Sequence, residues 1–144
     1  MDDLLLLTRI GGRPAAFPAE DISSIIELAE ITPVPRAPEF IAGLAALRSR
    51  ALTVIDSRLA LGLPAQPDTT DMRAPVVEVA GHAYALLVDR VEDVVSRIGD
   101  PTPPPAAFGP AWVRVASGMI ETSVGPAALI DVPALISDPQ CAAA

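Results

Sequence analysis

A segment opening at Gly12, with Ala16, Phe17, Ile22, Ile25 and Ile26, is echoed by one opening at Gly81, with Ala85, Leu86, Val91, Val94 and Val95, at a constant shift of 69. Each copy has a second half: Gly43-Leu44-Ala45 returns as Gly118-Met119-Ile120, and Val54-Ile55-Asp56 as Leu129-Ile130-Asp131, at a constant shift of 75. The shift changes once, so the second copy has a longer middle loop. Such a chain is expected to fold as two similar small units, about 12–64 and 81–137. Counting its first strand takes the second subdomain back to about 73. Units of this size are too small to be stable alone, so they should share a core within one domain spanning 1–144.

The apolar residues that must build this core are mostly Val, Ile, Leu and Ala, since only five residues are Phe, Trp or Tyr. Beta-branched runs favour strands. Sixteen prolines oppose long helices, because proline lacks a backbone donor and clashes with the preceding turn. The expected fold is therefore mainly β, with short strands joined by proline-marked loops. Strands are expected at Leu4–Ile10, Arg13–Phe17, Phe40–Leu47, Ala51–Asp56, Pro75–Val79, Tyr84–Val88, Val91–Val95, Trp112–Ile120 and Val124–Asp131. The stretch from Ile22 to Ile31 fits a short helix running into a strand. Asp56 can cap a short helix from Ser57 to Leu61 that stops at Gly62, and a second short helix is expected from Pro133 to Ser137. Pro64–Asp71 reads as a linker and Asp100–Pro110 as a loop.

The net charge of -8 would repel a phosphate backbone, so nucleic acid is not an expected partner. The acidic start and the lack of an apolar run near 20 residues argue for a cytoplasmic protein with no direct membrane insertion. Cys141 is the only cysteine, which leaves no internal disulfide and no metal cluster. His82, the only histidine, sits in an expected hairpin turn without a nucleophile motif beside it. Asp56, Asp89 and Asp131 each close an apolar run. Two of them are repeat equivalents, so capping explains them better than acid-base chemistry. No cofactor or catalytic residue is expected. Arg48, directly after an apolar strand, offers a planar donor fork for a partner's carboxylate or carbonyls, or is simply a solvated turn residue.

From Ile22 to Leu63 the sequence resembles the CheW-like domain, the receptor-kinase coupling module of bacterial chemotaxis. The strings that carry this are Glu30-Ile31-Thr32-Pro33-Val34-Pro35, Pro38-Glu39-Phe40-Ile41-Ala42-Gly43-Leu44, Leu47-Arg48, Val54-Ile55-Asp56-Ser57-Arg58 and Leu61-Gly62-Leu63. Leu87-Val88-Asp89-Arg90-Val91-Glu92-Asp93-Val94, Gly118-Met119-Ile120 and Leu129-Ile130-Asp131-Val132 extend it over nearly the whole chain. The resemblance implies two packed SH3-like five-stranded barrels with short connecting helices, with the strand at 4–10 packed on them. It implies a non-catalytic adaptor in two-component signalling that joins chemoreceptor cytoplasmic tips to the histidine kinase CheA. By position, Ile22, Ile25 and Arg48 would contact receptor, and Val34 and Leu44 the kinase. Ala46 and Ser49 replace the family's usual Asn and Gly, and Ser24 an acidic residue. These departures leave open a divergent module that binds a response regulator or another kinase without receptor coupling.

Overall fold

A computed structural model describes residues 4–28, 30–47, 49–63 and 73–136. In chain order the elements are β1 Leu4–Ile10, β2 Arg13–Pro18, β3 Ile22–Glu27, β4 Ile41–Leu47, β5 Arg50–Asp56, α1 Ser57–Ala60, β6 Arg73–Val79, β7 His82–Leu87, β8 Arg90–Thr102, α2 Pro110–Val115, β9 Ala116–Thr122, β10 Gly125–Ile130 and α3 Val132–Ile136. Single 3-10 turns occupy Ala19–Asp21 and Ala106–Phe108. Among the described residues no helix is long and apolar enough to cross a membrane.

The strands form two five-stranded sheets. One closes into a barrel in the order β1-β2-β10-β9-β8, and the other runs β3-β6-β7-β5-β4. Their membership does not follow the halves 12–64 and 73–137, and this corrects the expected boundaries. The hairpin β1–β2 completes the sheet that holds β8–β10, while β6–β7 completes the sheet that holds β3–β5. Each repeat thus gives its opening hairpin to the other repeat's strands. The strand at 4–10 is a stave of the barrel, paired on both edges, and does not merely pack on it.

Register shows the duplication residue by residue. Leu7 faces Ala16 and Val76 faces Ala85, related by the shift of 69. The parallel pairs that lock each hairpin in place, Ala15 with Ala128 and Tyr84 with Thr53, are related by the shifts of 69 and 75. Both copies carry a bulge at the same place, between Ile22 and Ser24 in β3 and between Val91 and Asp93 in β8. Gly43 and Gly118 also coincide. A Cβ on Gly43 would overlap the carbonyl oxygen of Thr32, and one on Gly118 would lie 2.8 Å from that of Thr102.

The two copies differ at closure. β8 runs for 13 residues and reaches β9, whereas β3 stops after 6 and, among the described residues, only the bridge between Thr32 and Leu44 spans the gap to β4. The second sheet is therefore an incompletely closed version of the first.

Exchange of hairpins forces a common interior. The largest buried cluster draws Ile10, Phe17, Ala128 and Ile130 from the barrel together with Ile55, Val77 and Leu86 from the other sheet. Smaller clusters fill each sheet: Leu52, Val54, Val76 and Leu87 in one, and Leu5, Leu7, Val95 and Ile120 in the other. Consecutive Leu5, Leu6 and Leu7 are all buried because β1 faces the barrel interior on one side and the shared core on the other. The run of leucines that fails to alternate thus has a physical cause.

Trp112–Ile120 is not one strand. Pro110 opens α2, where its missing N–H and fixed φ are tolerated, and the strand begins at Ala116. Trp112 and Val115, three residues apart, both reach the shared core from this helix, whereas a strand would send them to opposite faces. Arg114 on the same helix donates to the Ala134 and Ala60 carbonyls at 2.8 and 3.3 Å, tying α3 to α1. The loop expected at 100–110 is shortened by β8, which continues through Thr102. The linker at Pro64–Asp71 lies outside the described residues.

Gly43→Ala is predicted to destabilise the protein by about 1–3 kcal/mol through overpacking. The urea midpoint should fall with m unchanged, and the Thr32 and Leu44 amides should lose hydrogen-exchange protection.

Candidate docking surfaces

The bulge in β3 sets the first surface. With Ile22 and Ser24 out of simple register, Ile25 turns toward the groove between the sheets, where β8 presents its repeat equivalent, Val94. Ile25 is 43% and Val94 51% exposed, and with Leu6, Ala19, Ile22 and Ser24 they line a groove of about 300 Å³. Two large aliphatic side chains left in water side by side are the kind of feature that marks an interaction site. The sequence places Ile22 and Ile25 at one site, and the structure brings them together. Val94 is the member that sequence reading missed. The shift of 69 maps Ile25 onto it, and that was the available signal.

The second surface is the unclosed seam of the other sheet. Leu44 on β4 donates its N–H to the Thr32 carbonyl and accepts from the Thr32 N–H, both at 2.8 Å, and leaves its side chain 41% exposed. Val34, two residues beyond Thr32, is 38% exposed and accepts from the Ala37 N–H as the proline-rich connection turns. Thr32 therefore relates the two residues through backbone. Successive residues of a strand face opposite ways, so Ile25 lines the groove while Ile26 lines the seam. Arg48 lies outside the described residues. Its neighbour Arg50 pairs with Glu78 on β6 at 2.9 Å, in the open.

Of the three strand-end aspartates, two cap helices. Asp56 Oδ1 accepts from the Arg58 and Leu59 amides at 3.0 and 3.2 Å, and Asp131 Oδ1 accepts from the Ala134 amide at 3.4 Å. Asp89 does something else. It receives Arg58 Nε at 2.7 Å and Nη2 at 3.1 Å, a fork-to-fork pair, and the Gly12 N–H at 2.8 Å. One carboxylate thus joins α1 at the end of β5, the β1–β2 turn and the β7–β8 connection. It clasps the barrel to the neighbouring sheet. Burial on its own would raise the Asp89 carboxyl, but Arg58 and the Gly12 and Gly11 amides outweigh it and hold the group below the usual carboxylate range. Arg58 is pushed up by its hydrogen bond to Asp89, against a smaller opposing effect of burial. The capping expectation fails at Asp89 alone, and it is the one of the three without an aspartate at its repeat position.

Among the described residues no three His, Cys, Asp or Glu side chains are grouped to hold a metal ion. His82 is exposed at the first position of β7. What the surfaces offer is apolar contact and backbone pairing.

Because the folded Asp89 carboxyl is depressed, its contribution is fully present above the unfolded value of about 3.9 and is lost as pH falls through the lower folded value. Asp89→Asn should cost about 1–3 kcal/mol at neutral pH. Its urea stability should also depend less steeply on pH than that of the parent in the acid window below about pH 4.

The sequence matches the CheW-like domain family over residues 4–140. It is 29% identical over 102 residues to the chemotaxis protein CheW of Rhizobium meliloti, covering 69% of this chain and 66% of that protein. With the chemotaxis protein CheW of Thermotoga maritima it shares 32% identity over 92 residues, covering 63% of this chain and 60% of the relative. The chain thus spans less than two thirds of the length of either relative. The crystal structure of the scaffolding protein TtCheW from Thermoanaerobacter tengcongensis superposes with a TM-score of 0.81 at 23% identity, covering 95% of this chain and 89% of that one. At that identity the likeness concerns the fold. With the family match reaching from the first described strand to beyond the last described helix, the chain belongs to the CheW-like domain family.

Proposed function

We propose that this protein is a non-catalytic scaffold of bacterial chemotaxis, coupling chemoreceptor cytoplasmic tips to the histidine kinase CheA. The observation that carries the reading is the pair of apolar surfaces served by one strand, the Ile25–Val94 groove and the seam at Leu44. Family membership and the names of the relatives supply the biological setting. The groove, with Ile22 and Ile25, takes the receptor, and Arg48 contributes a donor fork to the same partner. Val34 and Leu44 face the kinase. A scaffold with two modest docking faces gains strength from effective concentration, because holding one partner raises the local concentration of the other. Control then arises from placement of partners. The protein works in the cytoplasm, joined to membrane-bound receptor arrays through its partners.

A second reading keeps the fold and changes the partner. Ser24 lines the groove where family members commonly carry an acidic residue, and Ala46 sits on the seam in place of an Asn. A module reshaped in this way would bind a response regulator or a different kinase.

Capture assays with CheA and a receptor cytoplasmic fragment separate these readings. Ile25→Asp and Val94→Asp should each weaken receptor capture at least tenfold, about 1.4 kcal/mol, and spare CheA capture. Arg48→Glu should also weaken receptor capture, with stability changed by less than about 0.5 kcal/mol. Leu44→Asp should show the opposite selectivity. A folded protein that captures neither partner would overturn the scaffold reading.

A further inference from the structure

The barrel closes through Arg97 paired with Thr122 and Ile98 paired with Glu121. In the other sheet the shift of 75 puts Leu47 and Ala46 at the positions of Thr122 and Glu121; β5 pairs with one edge of them, and among the described residues no strand pairs with the other. Leu44 turns its N–H and C=O outward to Thr32, so Ala46, two residues on in the same strand, turns its own N–H and C=O the same way. The result is a backbone edge inside a cleft of about 580 Å³ whose walls include Ile26, Leu28 and Leu44. Glu27 and Glu30 stand exposed along it, and among the described residues no arginine lines it.

We propose that an extended, basic segment of a partner protein adds as a strand to β4 at Ala46, filling the seam that β3 leaves open. Main-chain bonds to the edge supply affinity. Alternation of the added strand supplies specificity, with apolar side chains on Ile26 and Leu44 and cations beside Glu27 and Glu30. The net charge of -8 favours approach of such a segment. The seam is the face to which the scaffold reading assigns the kinase, but the inference rests on the backbone edge and its charge, and the titration below tests it without CheA.

Titration of the ¹⁵N-labelled full chain with the peptide Lys-Val-Lys-Val-Lys-Val-Lys tests it, with Glu-Val-Glu-Val-Glu-Val-Glu as comparison. The lysine peptide should shift the Leu44, Ala45 and Ala46 amides saturably, and the glutamate peptide should not. Glu27→Lys combined with Glu30→Lys, both on exposed side chains, should raise Kd at least fivefold. The proposal is overturned by equal binding of the two peptides, by unchanged affinity in the double variant, by shifts confined to the Ile25–Val94 groove, or by no saturable shift.

Discussion

Neither sheet can be completed by one contiguous half of this chain. β2 must reach β10, more than a hundred residues later, and β7 must reach β5, and both of these contacts are parallel. Parallel pairing needs a long crossover rather than a tight turn, so each hairpin can be inserted only when the other repeat is present. The sheets are interlocked, and their largest core cluster belongs to both. Everything that positions the docking surfaces follows from this exchange.

It places β3 and β8, repeat equivalents, on the two sides of one groove. Their shared bulge leaves Ile25 and Val94 in water at matching positions. The Asp89–Arg58 pair then fixes the β1–β2 turn against α1, adding a polar tie to an otherwise apolar junction. Differences between the repeats are equally informative. Where β8 closes its barrel, β3 ends early, and the shortfall leaves an edge on which backbone can still be paired.

Much of this was legible in the residues. The constant shifts of 69 and 75 predicted strand equivalences that the register reproduces, and Asp56 and Asp131 announced two caps. Sheet membership was not legible, because periodicity along the chain says which residues alternate but not which repeat a hairpin pairs with. Trp112–Val115 misled because a short apolar run has no period long enough to distinguish one helical turn from a strand. Asp89 was grouped with the caps because a strand-end aspartate looks the same whether its donor is the next amide or an arginine thirty-one residues earlier. Of the expected contact residues, Ile22 and Ile25 share a groove and Leu44 lies on the seam, while Arg48 lies outside the described residues.

Interlocking has one direct thermodynamic consequence: the two sheets must unfold together. Urea unfolding followed by the fluorescence of Trp112, the only tryptophan, and in parallel by NMR amide signals from β5, β6 and β7, measures this. Coincident midpoints and slopes are predicted. Loss of the β5–β7 signals in a separate, earlier transition would show that each sheet stands alone and would contradict the exchange of hairpins.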